Sequence, residues 1–185
     1  MADRIVKLED KAGDNLYPIA GGMAADSVTT DMIQDGAVTT DKVDLASFIV
    51  ANMSGEYTTT STNMEKLTMN SVGRQYGTDF TLADNAVLVN SDIRYVRVSA
   101  VIGIASGVSD NDITQLQIIR TTGSTSNIMT RTYLRARNGW TSLVSPSIVV
   151  NVERGSKISL HFRNEQRSGT VINNAMTWLC VEAIH

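Results

Sequence analysis

The C-terminal two-thirds of the chain contains short runs of apolar and β-branched residues, each bounded by turn residues. Between Tyr95 and Ile104, apolar side chains occupy every second position, which is the period of a strand with one buried face. Asn, Asp, Ser and Gly between the runs predict tight turns. Because no long helical pattern interrupts them, the runs predict an antiparallel β-sandwich or jelly roll, with further strands at 115–120, 128–137, 147–152, 157–163 and 175–184.

The charge balance argues against nucleic acid as a partner. Of 185 residues, 16 are Lys or Arg and 19 are Asp or Glu, and the basic residues form no long block that would neutralise a phosphate backbone. The single cysteine, Cys180, excludes an intramolecular disulfide. No apolar run of about 18 residues and no signal-peptide pattern is visible, so we expect a chain made and folded in a reducing compartment, without membrane insertion.

Residues 1–54 follow a different pattern and are predicted to form a separate segment before a head domain at 55–185. Residues 27–33 (SVTTDMI) recur ten positions later as 37–43 (AVTTDKV). One such unit buries too little apolar surface to offset the entropy lost on ordering, roughly 1–2 kcal/mol per residue. The repeat therefore predicts an extended stalk that becomes ordered when several chains share their Val and Ile residues.

A short helical neck is predicted where this segment ends. Leu45, Phe48, Ile49 and Met53 are spaced as on one face of a helix. A helix of about ten residues is marginal alone, so Leu45, Phe48 and Ile49 are predicted to contact copies of themselves around a symmetry axis. The alternative is a short helix on the surface of the head.

The last predicted strand is apolar on both faces. Met176, Trp178 and Cys180 project to one side, and the side chains between and after them, such as Leu179, project to the other. One face belongs to the core of a two-sheet sandwich, so the Met176, Trp178 and Cys180 face is predicted to be an oligomer interface. Burial in a mixed central strand is the alternative.

One aromatic and basic cluster is a candidate sugar-binding site. The set comprises Tyr133, Arg135, Arg137, Asn138 and Trp140, and Arg131 lies on the same basic face. An aromatic ring stacks on a sugar while polar groups bind its hydroxyls. In the alternative, Trp140 packs on the sandwich edge and the arginines pair with Glu153, Glu165 or a neighbouring chain.

Catalytic and metal chemistry are not predicted. The only histidines are His161 and His185, and neither has a nucleophile in a recognisable context. A glycan hydrolase needs a carboxylate pair, which nothing singles out among the candidate carboxylates. Calcium is also disfavoured, because the Asp110 and Asp112 spacing lacks the rest of a binding loop and fits a turn. No cofactor is expected. The carboxylates considered for a glycan-hydrolase pair are Asp79, Asp84, Glu153 and Glu165.

The N-terminal sequence resembles the attachment segments of bacteriophage tail-fibre, baseplate and head-fibre proteins. The resemblance covers roughly residues 4–45 and is carried by residues 7–18 (KLEDKAGDNLYP) followed by the ten-residue repeat. It implies a fibrous homotrimer that docks on other virion proteins, with Leu16, Tyr17 and Pro18 as the anchor.

The C-terminal sequence resembles the C1q/TNF-like jelly roll, which also forms the heads of phage fibres. The resemblance is carried by residues 149–160 (VVNVERGSKISL), a strand–turn–strand unit in which Ser156 replaces the usual Asp, and by 177–184 (TWLCVEAI). Together the two resemblances imply a structural virion protein whose head projects for adhesion to a host-surface glycan. The alternative is a capsid-anchored head fibre or decoration protein with a mainly structural role.

Overall fold

The computed structural model describes residues 46–137 and 141–184, together with the backbone of two N-terminal strands. The chain divides into two units, Met1–Leu45 and Ala46–His185. Both the ten-residue repeat at 27–43 and Leu45 lie outside the described residues. No helix in the described ranges has the length and apolar character needed to cross a membrane.

The first unit contains an antiparallel hairpin. Strand β1 (Val6–Glu9) pairs with strand β2 (Asn15–Ile19), and the register is interrupted next to Glu9. The predicted anchor residues Leu16, Tyr17 and Pro18 all lie on β2. Their role in docking stays a prediction.

The second unit is built from thirteen described strands. They are β3 (Phe48–Asn52), β4 (Tyr57–Thr58), β5 (Glu65–Lys66), β6 (Ser71–Tyr76), β7 (Phe80–Ala83), β8 (Ala86–Val89), β9 (Tyr95–Ser106), β10 (Ile113–Thr122), β11 (Thr125–Arg135), β12 (Thr141–Val144), β13 (Ile148–Asn151), β14 (Lys157–Asn164) and β15 (Val171–Ile184).

These strands form two antiparallel sheets. Sheet I has the order β11-β10-β14-β8-β7, and β5 also pairs with β14. Sheet II has the order β12-β9-β15-β3-β6, and β13 and β4 pair with β9 and β15. Strands distant in sequence are therefore neighbours, and the predicted antiparallel β-sandwich is confirmed.

The core lies between the two sheets. Sheet I contributes residues such as Leu116, Leu160 and Phe162, and sheet II contributes Ile102 and Leu179, all fully buried. On β15 the burial alternates, so that every second side chain from Thr177 onward points inward. This alternation leaves one complete face of each sheet turned away from the core.

The predicted helical neck is wrong. Phe48–Asn52 is strand β3, which lies between β15 and β6 in sheet II, and the described residues contain no helix. Ile49 and Ala51 are fully buried and alternate with half-buried neighbours, as in a strand. Hydrogen bonding to a strand on each side outweighs the helical spacing of a segment this short.

A buried polar cluster joins two loops at one end of the sandwich. The Asp112 carboxylate accepts hydrogen bonds from the Ser109 backbone N–H (2.9 Å) and the Asn164 amide (3.1 Å), and pairs with Arg167 at 2.7 Å. The Asn164 amide also donates to Thr170, whose hydroxyl donates to the Gly107 carbonyl. Burial alone would raise the pKa of Asp112, but these donors outweigh it and lower the pKa below its usual range.

Candidate self-association surface

The outward face of sheet II is formed by rows of side chains that cross four strands. In the central row, Cys180 of β15 lies opposite Val50 of β3 on one side and Ser99 of β9 on the other. Arg74 of β6 continues this row beyond Val50. Directly paired residues project to the same side of a sheet. Val50 and Cys180 are half-buried and alternate with buried neighbours, so this row faces away from the core.

The two flanking rows place two large aromatic side chains on the same face. Trp178 lies opposite Asn52 of β3 in one row. Phe48 lies opposite Glu182 and Tyr76 in the other. Half-buried apolar groups therefore extend across β15 and β3.

A β-bulge in β15 borders one side of the outward face of sheet II. The pairing with β9 is interrupted between Asn173 and Trp178. Inside the bulge, Thr177 Oγ1 accepts a hydrogen bond from the Gly103 N–H (3.1 Å) and donates to the Asn173 carbonyl (2.6 Å). A Cβ at Gly103 would lie 2.5 Å from the Cβ of Met176, so the close approach of the two strands requires glycine.

A groove of about 470 Å³ lies beside the bulge. Apolar groups from Val50, Trp178 and Cys180 line it together with polar groups from Asn52 and Arg74. Met176, at the bulge, is 42% exposed. The groove thus combines apolar surface with a few hydrogen-bonding groups, as in the interior of a protein–protein interface.

The electrostatics of this face are mild. Arg97 and Glu182 form an ion pair at 2.9 Å that is largely open to solvent. Burial and, to a smaller extent, the Glu182 carboxylate raise the pKa of the Cys180 thiol. The cysteine therefore remains a neutral, small apolar group at neutral pH.

The structure brings four of the six predicted interface residues to one face. Phe48, Met176, Trp178 and Cys180 all lie on the outward side of sheet II. The prediction for Ile49 is wrong, because its side chain is fully buried in the core of its own chain. Leu45, the sixth, lies outside the described residues.

The predicted sugar-binding residues are not brought together as one described site. Tyr133 and Arg135 are exposed on the outward face of β11, an edge strand of sheet I. Arg137 follows β11 beside Asp110 and Asn111. The other two, Asn138 and Trp140, lie outside the described ranges.

The alternative pairing of the arginines with Glu153 or Glu165 is not found in the described part of the chain, and a single chain does not test pairing with a neighbouring one. The ion pairs of the described part involve neither Arg131 nor Arg135 nor Arg137, and Glu165 pairs with Arg163 instead.

Sequence reasoning missed the groove residues contributed by β3 and β6. Val50 and Asn52 alternate with Ile49 and Ala51, and this period of two was the signal that identifies β3 as a strand. Arg74 carries no comparable signal, because β6 is exposed along most of its length.

Comparison with solved structures shows that the fold is a TNF-like jelly roll. The chain is similar to murine APRIL at pH 5.0, with a TM-score of 0.62 and 10% identity over 75% of this chain and 99% of that one. For murine APRIL at pH 8.0 the TM-score is 0.60, with 11% identity and the same coverage. Eiger TNF from S. frugiperda gives 0.52, with 11% identity over 76% of this chain and 92% of that chain.

At identities this low, the likeness establishes the fold alone. No family model matches the sequence, and no curated protein matches it.

Proposed function

We propose that this chain is a homotrimeric structural fibre protein of a bacteriophage virion, with its N-terminus docked on the particle and its head turned toward the host surface. The resemblance of residues 4–45 to phage fibre segments supports the virion role. The TNF-like jelly roll supports a head domain of the kind that caps such fibres.

The observation that carries the self-association is the outward face of sheet II. A β-sandwich monomer needs one buried face per sheet, yet β15 carries Trp178 and Cys180 on its second face beside a groove. A neighbouring copy seated in that groove would remove these groups from water. Three copies arranged around one axis repeat the same head-to-tail contact between successive chains and form a closed assembly.

The two ends of the protein have separate tasks in this proposal. The β2 residues Leu16, Tyr17 and Pro18 contact other virion proteins. Sheet I of the head stays accessible in the trimer, because its outward face lies on the other side of the sandwich from the groove. The head is therefore free to contact host-surface glycan.

Labelled protein on purified particles and on host cells tests the two tasks separately. An antibody against the head should mark fibres that project from the virion, and purified full-length chain should bind host cells in competition with the phage. Marking of the capsid surface without any binding to cells would favour the structural head-fibre role and remove the adhesion role. Absence of the chain from particles would contradict the proposal as a whole.

A further inference from the structure

The outward face of sheet I is a second surface with a distinct chemistry. Its register places Arg131 of β11, Gln117 of β10, His161 of β14 and Lys66 of β5 in one row, each directly opposite the next. With neighbouring strands about 4.8 Å apart, the row carries a cation at each end over about 14 Å.

An adjacent row adds an aromatic ring and a second arginine. Tyr133, Gln115 and Arg163 are paired directly across β11, β10 and β14. The Tyr133 side chain is 53% exposed. The Tyr133 ring therefore lies next to Arg131, which is on the same face of β11 two residues earlier.

The cations of this face are only partly neutralised. Glu165 pairs with Arg163 at 2.6 Å and Asp84 pairs with Lys157 at 2.6 Å. Lys66 donates to the Asp84 main-chain carbonyl, and among the described carboxylates none forms an ion pair with Lys66 or Arg131. In a chain with a net charge of -3, this face thus concentrates unneutralised positive charge.

Burial is the main influence on the titration of two groups of this face, and positive neighbours act in the same direction. Burial, and then the nearby Lys157 ammonium, lower the pKa of Lys66 despite the opposing effect of Asp84. Burial and the Lys66 ammonium lower the pKa of His161 to about 4. The groups that face the His161 ring are Gln117, Lys66 and, on its own strand, Ser159 and Arg163, none of which is an anion.

The Gln115 side chain in this second row is buried, and one of its donors lacks an acceptor. Gln115 accepts a hydrogen bond from Arg163 Nε (2.7 Å), but its own Nε2 has no partner in the described structure. A buried donor without an acceptor lowers the stability of the fold.

Resting on the adhesion role proposed above, we infer that the outward face of sheet I binds an acidic polysaccharide, whose carboxylate or phosphate groups contact Arg131 and Lys66 while a sugar ring stacks on Tyr133. The two cations are separated by several strands on an outward surface, which suits a polymer with repeated charges. A trimer carries three such faces, so a flexible polymer long enough to reach more than one of them would bind with an avidity above the affinity of one face.

Binding of the full chain to defined polymers tests the inference. The probes are polygalacturonate for carboxylates, poly(glycerol phosphate) for phosphates and dextran as the uncharged control. The wild type should bind one or both acidic polymers, less tightly as salt is raised, and should not bind dextran. Which of the two binds identifies the anionic group.

Matched double variants distinguish a specific binding site from an effect of the overall charge on binding. Arg131→Gln with Lys66→Gln should weaken binding by roughly fivefold or more. Arg94→Gln with Arg154→Gln removes the same charge from exposed positions outside the two rows and should change binding by less than about twofold. Equal losses in the two variants, or no preference of the wild type for acidic polymers, would overturn the inference.

The change in the pKa of His161 on binding is a second readout, which general charge effects do not produce. A bound anion beside Lys66 should raise the pKa of His161 in an NMR titration, and the Arg131→Gln/Lys66→Gln variant should lose this response. If the wild type attaches to cells but binds neither polymer, the inference is contradicted and the proposed adhesion stands. If the wild type binds a polymer but does not attach to cells, the proposed adhesion is contradicted and the polymer binding stands.

Discussion

At the scale of single residues, the Asp112 carboxylate is contacted by polar groups from two loops. Its side chain is 5% exposed, and its partners belong to the 107–113 and 164–170 loops. These partners lie more than 50 positions away along the chain, apart from Ser109. The cluster was therefore invisible to local sequence patterns, which suggested only a turn at Asp112.

Replacement of Asp112 by Asn should destabilise the head by about 2 kcal/mol at neutral pH, because Arg167 loses its partner while the buried site keeps its donors. The folded pKa of Asp112 is depressed, so the carboxylate contributes stability above its unfolded pKa near 3.9 and loses it as the pH falls through the lower folded value. Urea unfolding should therefore show a gap between wild type and variant that narrows below about pH 4.

Asp92→Asn, at an exposed position, is the matched control and should leave the urea midpoint unchanged. A gap for Asp112→Asn that stays constant down to pH 2 would contradict the role of the carboxylate.

His161 should make the head sensitive to mild acid. The unfolded chain protonates this histidine near pH 6.5, whereas the folded chain does so only at about pH 4. Because the folded pKa is lowered, stability is lost as the pH falls from 6.5 to about 4, by on the order of 1–2 kcal/mol after allowance for partial exposure.

The His161→Gln variant should lose less stability than the wild type over that interval, which urea midpoints measured at half-unit pH steps would show. Parallel pH profiles for the two proteins would refute the assignment.

At the scale of elements, the sequence predicts the later strands well and the first strand of the head poorly. The alternation in β9, β14 and β15 is long enough for the period of two to be unambiguous. In β3 only five residues are available, and the spacing of Phe48 and Ile49 relative to Leu45 also matches a helix. Which interpretation holds depends on pairing with β15, more than 120 positions later, and no local pattern carries that information.

The candidate surface was predictable only in part. The two-sided apolar character of β15 was visible in the order of Met176, Trp178 and Cys180. The rest of the groove was not predictable from the sequence, because it depends on the bulge at Asn173–Trp178 and on side chains from β3 and β6. A bulge is set by tertiary pairing and has no signature in this sequence.

Truncation tests the assignment of β3. A chain starting at Ala46 keeps the strand and should unfold cooperatively on heating. A chain starting at Ser54 loses Ile49 and Ala51 from the core and leaves β15 and β6 without the strand between them, at a cost of several kcal/mol. It should lack a cooperative transition in circular dichroism. Equal melting temperatures for the two chains would show that β3 is dispensable.

At the scale of the whole molecule, the two outward faces of the sandwich have different proposed roles. The face of sheet II is apolar around Trp178 and Cys180 and is assigned to self-association. The face of sheet I carries the exposed ring of Tyr133 and the cations Arg131 and Lys66, and is assigned to an acidic ligand. Closure around an axis through one face leaves the other exposed on every copy.

Matched substitutions on the two faces should therefore differ in their effect on assembly. Met176 on sheet II and Ile128 on sheet I are almost equally exposed in the single chain, at 42% and 40%. Met176→Glu places a charge in the proposed interface and should dissociate the assembly at micromolar concentration, whereas Ile128→Glu should leave it intact. Dissociation by Ile128→Glu alone would place the interface on the other sheet.

The most direct test of the self-association claim is the solution mass of the full-length wild-type chain, measured by light scattering over a range of concentrations. A constant mass of three times the 20.1 kDa of one chain is the predicted result. A mass of 20.1 kDa at every concentration would contradict the account and identify the chain as a single jelly-roll module whose outward sheet II face contacts solvent.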